Sequence, residues 1–201
     1  MNDSENINSE AKILRAAEEI FMRDGYGGSR MQDIADLAGI NKALLHYYFR
    51  SKDKLFNKIF EQKAALIFPQ MEELLHQNLP ITELMCIFVE RYFKVLLENP
   101  YMPLFIISTI NKPDNQSIIE KLPFDLNKKL ITILQKEVES GKVKNVNPFH
   151  FLISVFSMCA FPFMAKPMIM KLGNVDEKQF FELMKDRVAE IQGYVRTLLV
   201  L

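Results

Sequence analysis

Apolar residues recur every three to four positions along almost the whole chain, which is the spacing of one face of an α-helix. In the first such segment Ile13, Ala17 and Ile20 share a face. No run alternates between apolar and polar residues at a period of two, as a half-buried strand does. The pattern therefore predicts an all-α fold.

Helix-capping and helix-breaking residues divide this pattern into about nine helices. Gly25 and Gly39 are expected to end the first two, because the turn after a helix favours a positive φ. Ser29 and Gln32 have the spacing of a capping box at the start of the second helix, and residues 176–179 repeat that spacing before the last helix. The predicted helices cover roughly residues 10–24, 30–38, 41–48, 51–77, 80–98, 103–111, 117–140, 148–161 and 177–200.

Residues 31–48 have the arrangement of a helix-turn-helix. Ala35 allows two helices to approach closely, Gly39 supplies the turn, and Leu45 would face inward from the second helix. The second helix is short and polar on its other face, as entry into the major groove of DNA requires. An αα-corner inside any helical protein would leave a similar pattern. Charge favours DNA, because residues 42–58 hold five cations and one anion in a chain of zero net charge.

A combination of motif residues lies within residues 10–56. It consists of Gly25, Tyr26, Ser29, Asp33, Ile34, Ala35, Ala38, Gly39, Ile40, Lys42, Leu45, Tyr48, Phe49, Ser51, Lys52, Asp53, Leu55 and Phe56. This combination resembles the DNA-binding domain of the TetR family of transcriptional regulators. Beyond residue 60 the likeness is one of length and all-helical plan. His46 stands where the family usually has Tyr, and Ala43 with Leu44 stands where small residues are common, so the operator sequence stays open.

The resemblance implies a helix-turn-helix DNA-binding domain over residues 1–56 and a helical ligand-binding and dimerisation domain over residues 57–201. It implies a cytoplasmic, ligand-responsive repressor that binds a palindromic operator in double-stranded DNA as a homodimer and senses a small hydrophobic effector. A helix that starts at the DNA and continues into the second domain would let a ligand change the spacing of the two DNA-binding heads. A coupling of ~1–3 kcal/mol would change DNA affinity roughly 5–150-fold.

Ten residues are predicted to lie at the DNA. They are Ser29, Arg30, Gln32, Asn41, Lys42, Ala43, Leu44, His46, Tyr47 and Lys52. Lys42 can reach a guanine or a phosphate, and Lys52 should meet the DNA backbone. Ser29 could hold a phosphate or only cap its helix. Gln32 could complete that capping box or reach an adenine, and Asn41 could be an N-cap alone.

The last two long helices carry more apolar residues than a single core-facing stripe needs, which favours an interface between subunits. Most soluble oligomers are two-fold dimers, so we expect a homodimer. The predicted interface residues are Phe156, Phe180, Met184, Val188, Ile191 and Val195. A larger core within one chain is the alternative.

The middle of the chain is rich in Met and Phe, whose flexible and aromatic side chains suit an apolar ligand. The predicted pocket residues are Phe68, Met71, Met85, Phe88, Tyr92, Met102 and Phe105. Ordinary core is the alternative, because periodicity does not distinguish the two. His76, Glu90, Arg91 or His150 could supply a polar handle.

Catalytic signatures are missing from the sequence: it has no G-x-S-x-G, H-E-x-x-H or P-loop motif, so we expect no enzyme and no cofactor. No Asp, Glu and His residues have the spacing of a metal site. Two cysteines, Cys86 and Cys159, are too few for a disulfide scaffold and fit a reducing cytoplasm. The longest uncharged apolar stretch, residues 151–165, is shorter than the ~20 residues of a membrane span.

Two rival functions stay open at this stage. A DNA-binding architectural or adaptor protein would have the same head without an inducer. A carrier of hydrophobic molecules would need only the Met- and Phe-rich body.

Overall fold

The computed structural model describes residues 3–110 and 124–201, without the side chains of residues 3–8, 64, 67, 68, 109, 110 and 124. Within these residues the chain forms ten α-helices and no strand, which confirms the all-α prediction. The helices are α1 (Asp3–Gly28), α2 (Met31–Ala38), α3 (Lys42–Tyr48), α4 (Lys52–Leu75), α5 (Ile81–Glu98), α6 (Met102–Ile110), α7 (Phe124–Glu139), α8 (Pro148–Met164), α9 (Lys166–Gly173) and α10 (Glu177–Leu199).

Packing divides the described residues into two compact units, and the first contains residues 3–65 and 105–110. The predicted apolar face of α1 is buried, and Leu45 of α3 and Phe56 of α4 are buried in the same unit. Removing these side chains from water stabilises the unit by roughly 1.5–3 kcal/mol for each large residue. The boundary between the units follows residue 65, inside α4, whereas the resemblance implies a boundary after residue 56.

Two glycines mark the helices of the first unit: Gly39 ends α2 as predicted, whereas Gly25 interrupts α1. Gly25 has a φ of +67° and interrupts the helical backbone of α1, although α1 begins earlier than the predicted residue 10. Gly39 has φ and ψ of 68° and 33°, and its N–H donates to carbonyls in the last turn of α2. Left-handed backbone of this kind is strained in residues with a side chain. The turn between α2 and α3 is therefore fixed by Gly39.

The second unit contains residues 66–104 and 124–201, with α5 at its centre. Phe88 and Phe93 of α5 are buried, and Phe163 of α8 lies between Phe93 and Phe180, with ring centroids 5.9 and 6.0 Å away. Such edge-to-face pairs add about 0.5–1.5 kcal/mol to the burial of the rings. An aromatic interior thus joins α5, α8 and α10.

The structure contains one helix, α9, that the sequence pattern did not predict. Pro162 lies inside α8 without ending it, and Pro167 lies in the first turn of α9, where a missing N–H costs little. Asn174 ends α9 in the left-handed conformation, with a φ of 47°. The predicted helix over 117–140 is described only from residue 124, since residues 117–123 lie outside the described chain.

No single helix of the described residues is both long enough and apolar enough to span a membrane. The helices α8 and α9 together have the length and apolar composition of a membrane span, but they are bent by 79° relative to each other.

Candidate nucleic-acid interface

The predicted recognition helix, α3, is held by one cap and one buried residue. The side chain of Asn41 accepts a hydrogen bond of 2.8 Å from the N–H of Leu44, so Asn41 is the N-cap. Leu45 is fully buried, and the N–H of Phe49 donates to its carbonyl at the end of the helix. One side of α3 is thereby fixed against the unit, and the opposite side faces solvent.

The solvent side of α3 carries the side chains that the sequence assigns to DNA. Lys42, Ala43 and His46 are exposed, Tyr47 is 74% exposed, and Leu44 is half-buried. The ring of Tyr47 packs edge-on against Tyr48, with centroids 5.6 Å apart. Among the described residues neither Lys42 nor His46 has a hydrogen-bond or ion-pair partner. A cation, an imidazole and a phenol on one short helix are groups that donate to phosphates and base edges.

The start of α2 adds a second exposed cation but differs from the predicted cap. Arg30 occupies the N-cap position with an extended backbone, and no side chain caps α2. The amide of Gln32 donates instead to Asp36, at 2.8 Å, one turn further along the helix. The predicted capping box is therefore wrong: Ser29 lies one residue too early to be the N-cap.

Ser29 also differs from its predicted contact with DNA. Its exposed fraction is 3%, and its hydroxyl donates to the carbonyl of Tyr26 at 2.8 Å. A buried hydroxyl that closes a turn inside the protein is not available to a phosphate. Neither of the two roles that the sequence left open for Ser29 matches this geometry.

Lys52 is the second correction within the predicted contact set. Its Nζ donates to the carbonyl of Tyr26 at 2.7 Å and to the carbonyl of Ser29 at 3.0 Å. It also lies 4.2 Å from the centroid of the Tyr26 ring, which is the geometry of a cation–π contact. The ammonium group is bound within the protein rather than directed at the DNA backbone.

Tyr26 is a residue whose role the sequence pattern missed. Its hydroxyl donates to the carboxylate of Asp53, and its ring lies 4.9 Å from Phe56 and 6.0 Å from Phe21. Burial, and then the hydrogen bond to Asp53, raise the pKa of Tyr26 above its usual range. The only sequence signal was the spacing of the motif itself, since Tyr26 and Lys52 are far apart along the chain.

The predicted pocket residues divide between the two units. Met85, Phe88 and Met102 are buried inside the second unit, and the Phe88 ring stacks on Tyr92 at 5.4 Å. Phe105 belongs to the first unit, where its ring lies 4.4 Å from Phe56. Met71 is buried, and the side chain of Phe68 lies outside the described residues.

Open grooves are present on the second unit, but they are not lined by the predicted pocket residues. One groove of about 590 Å³ is lined by Cys86, Glu90 and Arg196, among others. A second groove of about 590 Å³ includes His76 and Lys129. Met71, Met85, Phe88 and Met102 are buried, and the polar candidates Glu90 and His76 line the grooves described above.

Most of the predicted dimer-interface residues are buried within the single chain. Phe180, Met184, Ile191 and Val195 are buried within the single chain, and Phe156 packs on Phe88 with centroids 4.9 Å apart. Side chains that already form the core of one chain offer no surface to another. Of the six residues, Val188 and Phe156 are half-buried.

A different set of apolar side chains faces outward from the same two helices. Their exposed fractions lie between 41% and 53%. They are Ile153 and Phe161 on α8, and Leu183, Tyr194 and Leu198 on α10. The sequence of α10 carries a second apolar stripe beside the continuous one, and polar residues interrupt it. Since the continuous stripe of a helix usually packs in the core of its own chain, the second stripe was the better candidate for an interface.

Comparison with known proteins decides the family. The family described as bacterial regulatory proteins, tetR family, matches residues 13–59, which include α2 and α3. The chain is 25% identical over 136 residues to the fatty acid metabolism regulator protein of Bacillus subtilis, a match that covers 66% of this chain and 70% of that one. The chain belongs to the TetR family of transcriptional regulators.

A further relative of this TetR-family chain is similar mainly in the first unit. The HTH-type transcriptional repressor NicS of Pseudomonas putida is 40% identical over 67 residues, which cover 33% of this chain and 31% of that one. The matches and the exposed face of α3 agree on one function. This TetR-family protein is a DNA-binding transcriptional regulator of the ligand-responsive repressor kind.

Solved structures extend the likeness of the fold over nearly the whole TetR-family chain. A Clostridium perfringens protein assigned as a fatty acid metabolism regulator has a TM-score of 0.72 at 18% identity, covering 94% of this chain and 99% of that one. The regulator FadR from Bacillus subtilis, in complex with stearoyl-CoA, has a TM-score of 0.65 at 17% identity, covering 90% and 96%. At these identities the likeness concerns the fold alone.

Proposed function

We propose that this protein binds a two-fold-symmetric operator as a homodimer, with α3 of each subunit in the major groove, and that an apolar acyl effector releases it. The observation that carries the proposal is the exposed face of α3, where Lys42, His46 and Tyr47 project from a helix anchored by Leu45. The activity is one of binding, without a catalytic step, and it would take place in the cytoplasm, where the DNA is.

The length of α3 is the argument for two DNA-binding heads. A helix of seven residues reaches only a few base pairs, so one head would bind weakly. Two heads on a two-fold dimer read two half-sites about 34–36 Å apart, one turn of the DNA. The expected operator is therefore an inverted repeat.

The operator is tested by footprinting on the DNA upstream of the protein's own gene. We expect a protected site with two-fold symmetry, and a mobility shift that persists in excess competitor DNA. Substitution of one half-site should weaken binding as strongly as substitution of the other. A salt-sensitive shift without sequence preference would favour an architectural DNA-binding protein and contradict the regulator.

The dimer surface that we propose is the outward apolar face of α8 and α10. Leu183, Tyr194 and Leu198 lie 11 and 4 residues apart, which places them on one side of α10. Ile153 and Phe161 lie on α8, the helix that packs beside α10 through the Arg187 guanidinium and the carbonyl of Met158. An apolar face of this kind, formed by two adjacent helices, is typical of a subunit interface.

Sedimentation of charge variants tests this surface. Leu198→Lys combined with Ile153→Lys should convert the dimer into a monomer with unchanged helix content. The matched control is Leu172→Lys on α9, which is 85% exposed and lies off the proposed face. A wild-type chain that sediments as a monomer at micromolar concentration would contradict the proposal, as would a double variant that remains a dimer.

The effector class follows from the interior of the second unit and from the relatives. Met85, Phe88, Met102 and Phe163 form an interior with few polar groups, which suits a long hydrocarbon chain. The Bacillus subtilis relative is named for fatty acid metabolism, and the similar FadR structure holds stearoyl-CoA. Both support a long-chain acyl thioester as the effector.

Titration of the protein–DNA complex with three compounds separates the parts of that effector. Stearoyl-CoA should release the DNA at micromolar concentration, whereas free coenzyme A should not, since it lacks the hydrocarbon chain. Stearate tests whether the acyl chain alone is enough. Retention of the operator in all three titrations would contradict an acyl effector and leave the DNA-binding part of the proposal standing.

A further inference from the structure

We propose that Lys52 is a positioning residue for DNA binding, which grips the carbonyls of Tyr26 and Ser29, fixes Arg30 at the start of α2, and makes no phosphate contact of its own. The inference rests on the proposed function, because it concerns how the DNA-binding unit presents a cation to the operator.

The ammonium group of Lys52 donates its hydrogen bonds to groups within the protein. Hydrogen bonds of 2.7 and 3.0 Å reach the carbonyls of Tyr26 and Ser29, and these take two of the three N–H donors of the ammonium group. The face of the Tyr26 ring, 4.2 Å from Nζ, covers a further side of the charge. A phosphate contact through the same two N–H groups would require this half-buried ammonium group to leave both carbonyls.

The two carbonyls belong to the turn that separates α1 from α2. Gly25 opens the turn with a φ of +67°, and the hydroxyl of Ser29 donates to the carbonyl of Tyr26 within it. The N–H of Ser29 also donates to the carbonyl of Gly25, and a cation that bridges the carbonyls of Tyr26 and Ser29 adds a further restraint on this segment. Lys52 and Ser29 thus converge on the same carbonyl, that of Tyr26.

Arg30 is the residue that this restraint presents to solvent. The carbonyl of Ser29 is part of the planar peptide group that continues into the N–H of Arg30, so fixing that oxygen fixes the peptide plane before Arg30. Arg30 has an extended backbone, with φ and ψ of −120° and 143°, and its side chain is exposed at the start of α2. Lys52 therefore acts on the DNA through Arg30.

Tyr26 and Asp53 form a second contact between the start of α4 and the segment that precedes α2. The Tyr26 hydroxyl donates to the carboxylate of Asp53, the residue next to Lys52 in the first turn of α4. The start of α4 consequently holds the turn through both a cation and an anion. Lys54, one residue further on, is exposed and has no side-chain partner among the described residues, so it serves as a matched control.

The first test uses the free protein and needs no DNA. Acylation of lysine side chains with an N-hydroxysuccinimide ester, quantified by mass spectrometry, should modify Lys52 at least about fivefold more slowly than Lys54 and Lys58, because the two carbonyls and the Tyr26 ring restrict access of the reagent to its nitrogen. Tyr26→Phe, which keeps the ring and both carbonyls, should leave Lys52 protected. Equal rates at the three lysines in the wild-type protein would overturn the inference, whatever the protein does with DNA.

The second test is a double-substitution cycle on operator binding. Lys52→Met should weaken binding about tenfold in the wild-type background and less than about twofold in an Arg30→Ala background, because the two residues act in series. Losses that are equal in the two backgrounds would show an independent phosphate contact by Lys52 and overturn the inference. Lys54→Met should lose the same factor in both backgrounds.

Two further measurements distinguish a positioning role of Lys52 from a general loss of stability. They are the affinity of a conservative variant and the salt dependence of DNA binding. Lys52→Arg, which retains charge and donors, should restore most of the affinity, and its melting temperature shows whether Lys52→Met is folded at the assay temperature. In the Arg30→Ala background Lys52→Met should leave the salt slope unchanged, whereas a phosphate contact would lower it by about 0.9. If the wild-type protein binds no operator, the proposed function fails, and the acylation test still decides the state of Lys52.

Discussion

The helices α3 and α10 contrast in how much of their surface the chain itself uses. The short α3 buries Leu45 and leaves Lys42, His46 and Tyr47 outside. The long α10 buries one full apolar stripe in its own chain and still carries a second apolar stripe outside. The exposed face of a helix can be predicted from the sequence when only one residue is suited to face inward. When a helix has two apolar stripes, the sequence does not show which of them is buried within its own chain.

The largest expected effect distinguishes the two stripes of α10. Ile191→Ala should lower the free energy of unfolding by about 2–5 kcal/mol, because it opens a cavity in the core of the single chain. Tyr194→Ala, on the outward stripe, should mainly weaken dimerisation, so its loss of stability should be small at concentrations where the wild type is a monomer and should grow to a limit as protein concentration rises. Urea denaturation at two protein concentrations measures both. A concentration-dependent loss for Ile191→Ala would reverse the assignment of the stripes.

The second prediction distinguishes the two faces of α3. Lys42→Ala should weaken operator binding about tenfold and leave the melting temperature within about 1 °C of wild type, since within residues 3–110 and 124–201 its side chain has no hydrogen-bond or ion-pair partner. Leu45→Ala should lower the melting temperature instead, because Leu45 is fully buried. Mobility-shift titration and thermal unfolding of the same two variants check this. If Lys42→Ala binds operator as tightly as wild type, the exposed face of α3 is not the reading face.

The turn that positions α3 gives a smaller effect on stability. Gly39→Ala should destabilise the protein by about 1 kcal/mol, because alanine is strained at a φ of +68° although no atom lies within 4 Å of its methyl group. Gly27→Ala is the control, since its site is equally open and its φ is not positive. Thermal or urea unfolding of the two variants measures the difference. Equal stability would mean that the turn adapts to alanine without strain.

The smallest effect compares the two predicted capping boxes. Gln179 accepts a hydrogen bond from the N–H of Asp176 at 2.8 Å, and Asp176 accepts one from the N–H of Gln179. Gln179→Ala should therefore cost about 0.5–1 kcal/mol, whereas Gln32→Ala should cost less than half as much, since Gln32 bonds only to Asp36 on the surface. Urea unfolding resolves the two. Equal losses of stability in the two variants would mean that the hydrogen bonds of Gln179 to the helix start do not account for the difference expected here.

The candidate site was predictable from the sequence where a residue had one possible role. Gly39 and Leu45 each have a single function in a helix-turn-helix, and the structure places each in that role. The sequence left Asn41 open between a DNA contact and an N-cap, and in the structure it is the N-cap. Ser29 and Lys52 carry polar groups that serve equally well inside or outside a protein. Their partners are backbone carbonyls, which for Lys52 lie more than 20 residues away along the chain. The pattern of side chains in a sequence does not show which carbonyl a polar group will meet.

The sequence by itself determined the all-α fold, the turn at Gly39 and the exposed face of α3, because periodicity, backbone strain and capping are local properties of the chain. Only the tertiary structure decided which stripe of α10 is core and that Lys52 is bound within the protein. Those outcomes depend on which surfaces meet when distant segments pack. The same apolar or charged side chain gains comparable free energy from a neighbour in its own chain or from an outside partner.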